Sequence, residues 1–117
     1  MDEFVLIFRR DFTSKEAQPA PDEMQIHLSK WQSWFANLTA QNKLSRPLQR
    51  WDREGKIVKR NSQVISGPYA EIKELIGGMI FVNAANYDDA ATIASECPIL
   101  DLGGNVEIRK AASSGDQ

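Results

Sequence analysis

Five consecutive apolar residues, Phe4-Val5-Leu6-Ile7-Phe8, open the pattern, and their β-branched and aromatic side chains predict a strand that is apolar on both faces. Arg9-Arg10-Asp11 closes it. Beyond a loop holding Pro19 and Pro21, Met24, His27, Leu28, Trp31, Trp34, Phe35 and Leu38 recur at steps of three and four. That spacing predicts a helix with one apolar stripe, started by Asp22 and Glu23 and ended near Asn42, ahead of Pro47. Partial alternation over 48–51, 56–59 and 63–65, with turns at Glu54-Gly55 and Asn61-Ser62, predicts a ragged hairpin. Gly67-Pro68 and Gly77-Gly78 then bracket a charged loop or short helical turn over 69–75. Met79-Ile80-Phe81-Val82 is a second unbroken apolar strand. Asn86 caps a second helix with Asp88 and Asp89 in its first turn, its small-residue face being Ala90, Ile93, Ala94 and Cys97, and Pro98 stops it. After Gly103-Gly104, Val106 and Ile108 alternate with Glu107 and Arg109 in a last strand.

The order strand, helix, hairpin, strand, helix, strand is that of a ferredoxin-like α+β fold, βαββαβ, with a four-stranded antiparallel sheet, two helices on one face and a hairpin insertion. In that topology the first and third strands are central, and here those are the two unbroken apolar ones. Two helices cover one sheet face only. The other face needs a second cover, supplied either by the sheet of a second copy in a homodimer or by the hairpin folding back over its own chain. Residues 1–112 are expected to form one domain and residues 113–117 a disordered tail.

Composition narrows the chemistry. Of 117 residues, 42% are hydrophobic and 26% charged, a globular balance. The single cysteine excludes an internal disulfide framework and a cysteine-based zinc site, and the single histidine excludes a multi-histidine metal centre. A net charge of −2 argues against a whole-protein polyanion binder. Residues 43–60 nevertheless carry seven basic residues against two acidic ones, with Trp51 interleaved. Stacking on nucleic acid is one reading of that stretch and a solvated basic hairpin the other; the absence of any nucleic-acid module favours the hairpin. No apolar run approaches a membrane span and Asp2 and Glu3 stand where a secretion signal would be basic, so a soluble cytoplasmic protein without cofactor or metal is expected.

Gly67-Pro68-Tyr69-Ala70-Glu71-Ile72-Lys73-Glu74, followed by Gly77-Gly78 and an apolar strand, resembles the YCII-related family, and within it the branch named for an Asp-Gly-Pro-Phe motif. Asn105-Val106-Glu107-Ile108-Arg109 is similar to that family's closing strand, and the His27-Leu28 pair to its first helix. The resemblance implies a bacterial protein whose ferredoxin-like fold pairs into a dimeric α+β barrel. It implies further that His27 corresponds to a histidine proposed in some members to act with an aspartate. A few relatives are linked to ring cleavage or dehalogenation. Ser66 stands where the branch has its aspartate, and Cys97-Pro98 where some relatives have Asp-Pro; either exchange would remove an acidic partner of the histidine.

The candidate site follows from these residues. His27 is a candidate general acid/base, or else a hydrogen-bonded histidine at the core margin. Glu71 and Glu74 are candidate catalytic carboxylates; Ser66, Tyr69, Lys73 and Arg109 are candidate ligand contacts. In the bland alternative the charges of 71–74 belong to a solvated turn, and Glu107 and Arg109 defend an edge strand. Three functions are open: an acid–base enzyme acting on a small cyclic or carboxylated metabolite, a dimeric ligand-binding or regulatory module without turnover, and an adaptor without a pocket whose open sheet serves only for assembly.

Overall fold

The computed structural model describes residues 1–11, 20–51, 54–67 and 74–112, with the side chains of 47–50, 66, 67, 74 and 75 left aside. The expected tail over 113–117 lies outside the described residues. Strand β1 runs Asp2–Asp11, helix α1 Pro21–Ala40, β2 Leu44–Arg50, β3 Gly55–Lys59, β4 Gln63–Gly67, β5 Glu74–Ala84, helix α2 Tyr87–Ala94 and β6 Asn105–Lys110. A 3₁₀ turn, Pro98–Leu102, joins α2 to β6. Four strands form one sheet in the order β2-β5-β1-β6, antiparallel throughout, while β3 and β4 pair as a separate hairpin. This is the ferredoxin-like arrangement, with the two unbroken apolar strands in the centre and both helices on one face.

Each helix starts as its residues dictate. Pro21 opens α1, and Glu23 reaches back to accept from the Ala20 N–H at 3.4 Å. Asn86 Oδ1 accepts from the Asp89 N–H at 2.9 Å and caps α2. Under the helices lie Phe4, Leu6 and Phe8 of β1, Ile80, Val82 and Ala84 of β5, Trp34 and Leu38 of α1, and Ala90, Ile93 and Ala94 of α2. Val106 and Ile108 pack against this core from β6, as their alternation predicts.

Three expectations are corrected. Residues 48–51 do not belong to the hairpin: 48–50 continue β2, an edge strand that begins before Pro47. Proline is tolerated there because an extra residue on β2, between Arg46 and Gln49, interrupts its pairing with β5 and relieves it of a ladder N–H. Gly77-Gly78 does not break the chain. Phe8 pairs with Gly78 and Arg9 with Ile76, so Gly77 is the extra residue of a bulge inside β5, and its carbonyl accepts from the Trp51 N–H at 3.0 Å. Glu74 and Leu75, expected in a loop or turn, are the first residues of that strand.

The sheet's second face carries Val5 and Ile7 beside Phe81 and Met79, their direct cross-strand partners. None of the four is buried. At one side of this apolar stripe Glu3 accepts from Ser45 Oγ and from Arg46, whose guanidinium lies 4.6 Å from the Phe81 ring centre. These donors hold the Glu3 carboxyl below the usual range, against the opposing effect of its partial burial. At the other side Glu107 sits between Arg9, at 3.2 Å, and Arg109, at 3.5 Å. The described structure is 21 Å through its shortest axis, the thickness of a sheet and one layer of helices.

Candidate functional site

Alternation along β1 places Phe4, Leu6, Phe8 and finally Arg10 on the helix side of the sheet. Arg10 is 8% exposed, and above it on α1 His27 is 7% exposed. The two are the buried polar residues among those described. His27 falls on the inner stripe of α1 with Trp34 and Leu38, as its spacing requires. One turn further, Trp31 returns its indole N–H to His27 Nε2 at 2.7 Å. With Nε2 accepting, the neutral ring carries its proton on Nδ1 and is a hydrogen-bond donor there.

Electrostatics favours the same state. Burial pushes the His27 imidazole below its ordinary 6.5; Arg10, and less strongly Lys30, lower it further, and Asp101 opposes them. Around the ring lies an aromatic wall. Trp31 meets His27 edge-on with centres 6.0 Å apart, Phe8 at 5.1 Å and Trp34 at 5.7 Å, and it leans on Phe35 at 5.5 Å. The site is therefore a buried cation, a neutral histidine and a set of rings, at the β1 end where Arg10 pairs with Leu75 and Asp11 with Glu74.

The candidate residues do not all gather here. Arg109 is on β6 beside Val5, on the open face, with its side chain 69% exposed. The sheet stands between it and His27, so within one chain the two cannot hold one ligand. Ser66 is in the hairpin, paired with Lys56. Glu74 starts β5 at the Arg10 end of the sheet. Tyr69, Glu71 and Lys73 lie outside the described residues. Among the described residues no carboxylate is bonded to His27, and no three His, Cys, Asp or Glu side chains converge to hold a metal ion.

Arg10 was the residue to find. The signal was present: the two-residue step of Phe4, Leu6 and Phe8 continues to Arg10, but a charge at a strand end reads as a stop. A groove of about 470 Å³ lies elsewhere, between the outer side of α1 (Ile26, Lys30, Ser33) and the segment from Glu96 to Asp101, where Lys30 meets Asp101 at 3.2 Å. Cys97 lies at this groove, but burial pushes its thiol up to about 12 and makes it inert.

Among solved structures, the chain resembles 5-chloro-2-hydroxyhydroquinone dehydrochlorinase (TftG) from Burkholderia phenoliruptrix AC1100, determined in complex with 2,5-dihydroxybenzoquinone. The identity is 15%, the TM-score 0.45, and 96% of each chain is covered. No curated protein matches the sequence. No helix among the described residues is long and apolar enough to cross a membrane. The model of the YCII-related domain matches residues 27–111, from the site histidine on α1 through the end of β6, and the chain belongs to that family.

Proposed function

We propose that the protein is a homodimeric small-molecule binder whose ligand is a cyclic organic anion, a carboxylate or phenolate, held at the Arg10–His27 end of the sheet. The bond from Trp31 to His27 Nε2 carries this reading. The nitrogen that would accept a proton in acid–base catalysis is already engaged by an indole donor, and the nearby guanidinium disfavours a charged imidazole. What His27 offers is a donor beside a buried cation, the complement of an anion, and the wall of Phe8, Trp31, Trp34 and Phe35 suits a ring. Tyr69, Glu71, Lys73 and Glu74 are proposed to complete the site, since they follow one another in sequence into the β5 end that pairs with Asp11. Dimerisation through the open face is supported by the stripe of Val5, Ile7, Met79 and Phe81, which no described segment of the chain buries.

The test is a thermal-shift and calorimetry screen of small aromatic carboxylates and phenolates, run on the wild type, Arg10→Met and His27→Ala. A ligand that raises the wild-type Tm, loses at least tenfold in affinity in both variants and is recovered unchanged supports a binder. Turnover that disappears in His27→Ala would replace this reading by the enzyme, and equal binding in all three proteins would remove the site. Sedimentation velocity of Phe81→Glu reads the dimer: the wild type should sediment as a dimer and the variant as a monomer.

A further inference from the structure

The β3–β4 hairpin is built from pairs that need cover. Ile57 stands opposite Ile65 on one face and Val58 opposite Val64 on the other. Ile57 and Ile65 are half-buried, Val58 is 71% exposed and Val64 54%, and no described residue of the hairpin is buried. Its strands hydrogen-bond to each other and to no strand of the main sheet. A lone two-stranded ribbon is at best marginally stable in water and ordinarily packs on something. Charge is divided in the same way. The hairpin, residues 55–67, holds three basic residues and no acidic one, so in a chain of net charge −2 everything else sums to −5. The arm itself carries Lys56, Lys59 and Arg60, while Asp22 and Glu23 on α1, Asp88 on α2, Glu96 in the turn after it and Asp101 on the 3₁₀ turn are exposed.

We infer that the hairpin is a dimerisation arm: it docks its Val58–Val64 face on the acidic body of a second copy of this chain. The inference rests on the homodimer proposed above and adds a second contact outside the open sheet face. Complementarity of a basic ribbon with an acidic body selects a second copy, because one surface meets the opposite charge on its own twin.

The experiment places a photo-crosslinking residue, benzoylphenylalanine, at position 58 in a mixture of ¹⁴N- and ¹⁵N-labelled protein and identifies the products by mass spectrometry. Light–heavy products joining position 58 to the helical side of the body are expected. Alongside, Val58→Asp/Val64→Asp should weaken the dimer at least tenfold in sedimentation velocity while the circular dichroism spectrum and Tm of the body are kept. Raising NaCl from 50 to 500 mM should weaken the wild-type dimer and leave the double variant unaffected. Products within one isotope only, from a protein that is still dimeric, overturn the arm and spare the sheet-face dimer. A monomeric wild type overturns both. Capture of a 20-base-pair duplex at 150 mM NaCl, lost in Lys56→Glu/Lys59→Glu while dimerisation is unchanged, assigns the arm to nucleic acid and overturns the inference.

Discussion

Replacing Trp31 by phenylalanine removes the donor to His27 and little else. An aromatic ring remains against Phe8, Trp34 and Phe35, but Nε2 of a buried imidazole loses its partner. An orphaned buried acceptor costs about 1–3 kcal/mol, and the smaller ring adds to the loss in the same direction. For a domain of this length the lower figure corresponds to a Tm roughly 4 °C below wild type. The second consequence concerns protonation. Burial, and then Arg10, hold the His27 pKa below 6.5. A donor aimed at Nε2 also stabilises the neutral ring, so without it the imidazole regains a site for its second proton and its pKa moves up. Because the chain has one histidine, a ¹³C and ¹⁵N NMR titration reads this ring without ambiguity. The wild type should show the Nδ1–H tautomer and a midpoint below 6.5, and Trp31→Phe a higher midpoint. A wild-type ring protonated on Nε2, or a midpoint that Trp31→Phe leaves in place, refutes the assignment and with it the donor role given to His27.

Other outcomes follow from the same geometry. Since the folded pKa of His27 lies below 6.5, the unfolded chain binds more protons just under that pH. Urea stability should therefore be fully present above pH 6.5 and fall as the pH drops toward the folded value, by at most about 1.4 kcal/mol per pH unit; His27→Gln should flatten the slope. Gly104→Ala should destabilise more than Gly103→Ala in thermal melts. A Cβ on Gly104 would sit 2.5 Å from the Arg9 carbonyl oxygen and 2.7 Å from Ile99 Cγ1, whereas Gly103 has open space and only its φ of +75° to strain an alanine. Cys97, with its thiol pushed up to about 12, should resist Ellman's reagent at pH 8 in the native protein and react at once in 6 M guanidinium; rapid native labelling would contradict its burial.

Much of this molecule is local chemistry and can be read along the chain. The stripe from Met24 to Leu38 and the Asn86 cap specify their helices because the groups that satisfy one another lie within a turn. Strand centrality was legible too, since a central strand shows its position in unbroken apolar residues. The bulge at Gly77 and the extended path through Pro47 were not legible. Glycine and proline announce a departure from regular backbone, and only the neighbouring strand determines whether that departure is a turn or one extra residue in a ladder. The site divides along the same line. His27 and Trp31 are four residues apart on one helix, a spacing at which side chains meet, so their bond is local even though the stripe alone did not single it out. Arg10 beneath them, and Arg109 on the far side of the sheet, were decided by the fold, because a sheet brings together residues far apart in the chain and separates those whose side chains leave opposite faces.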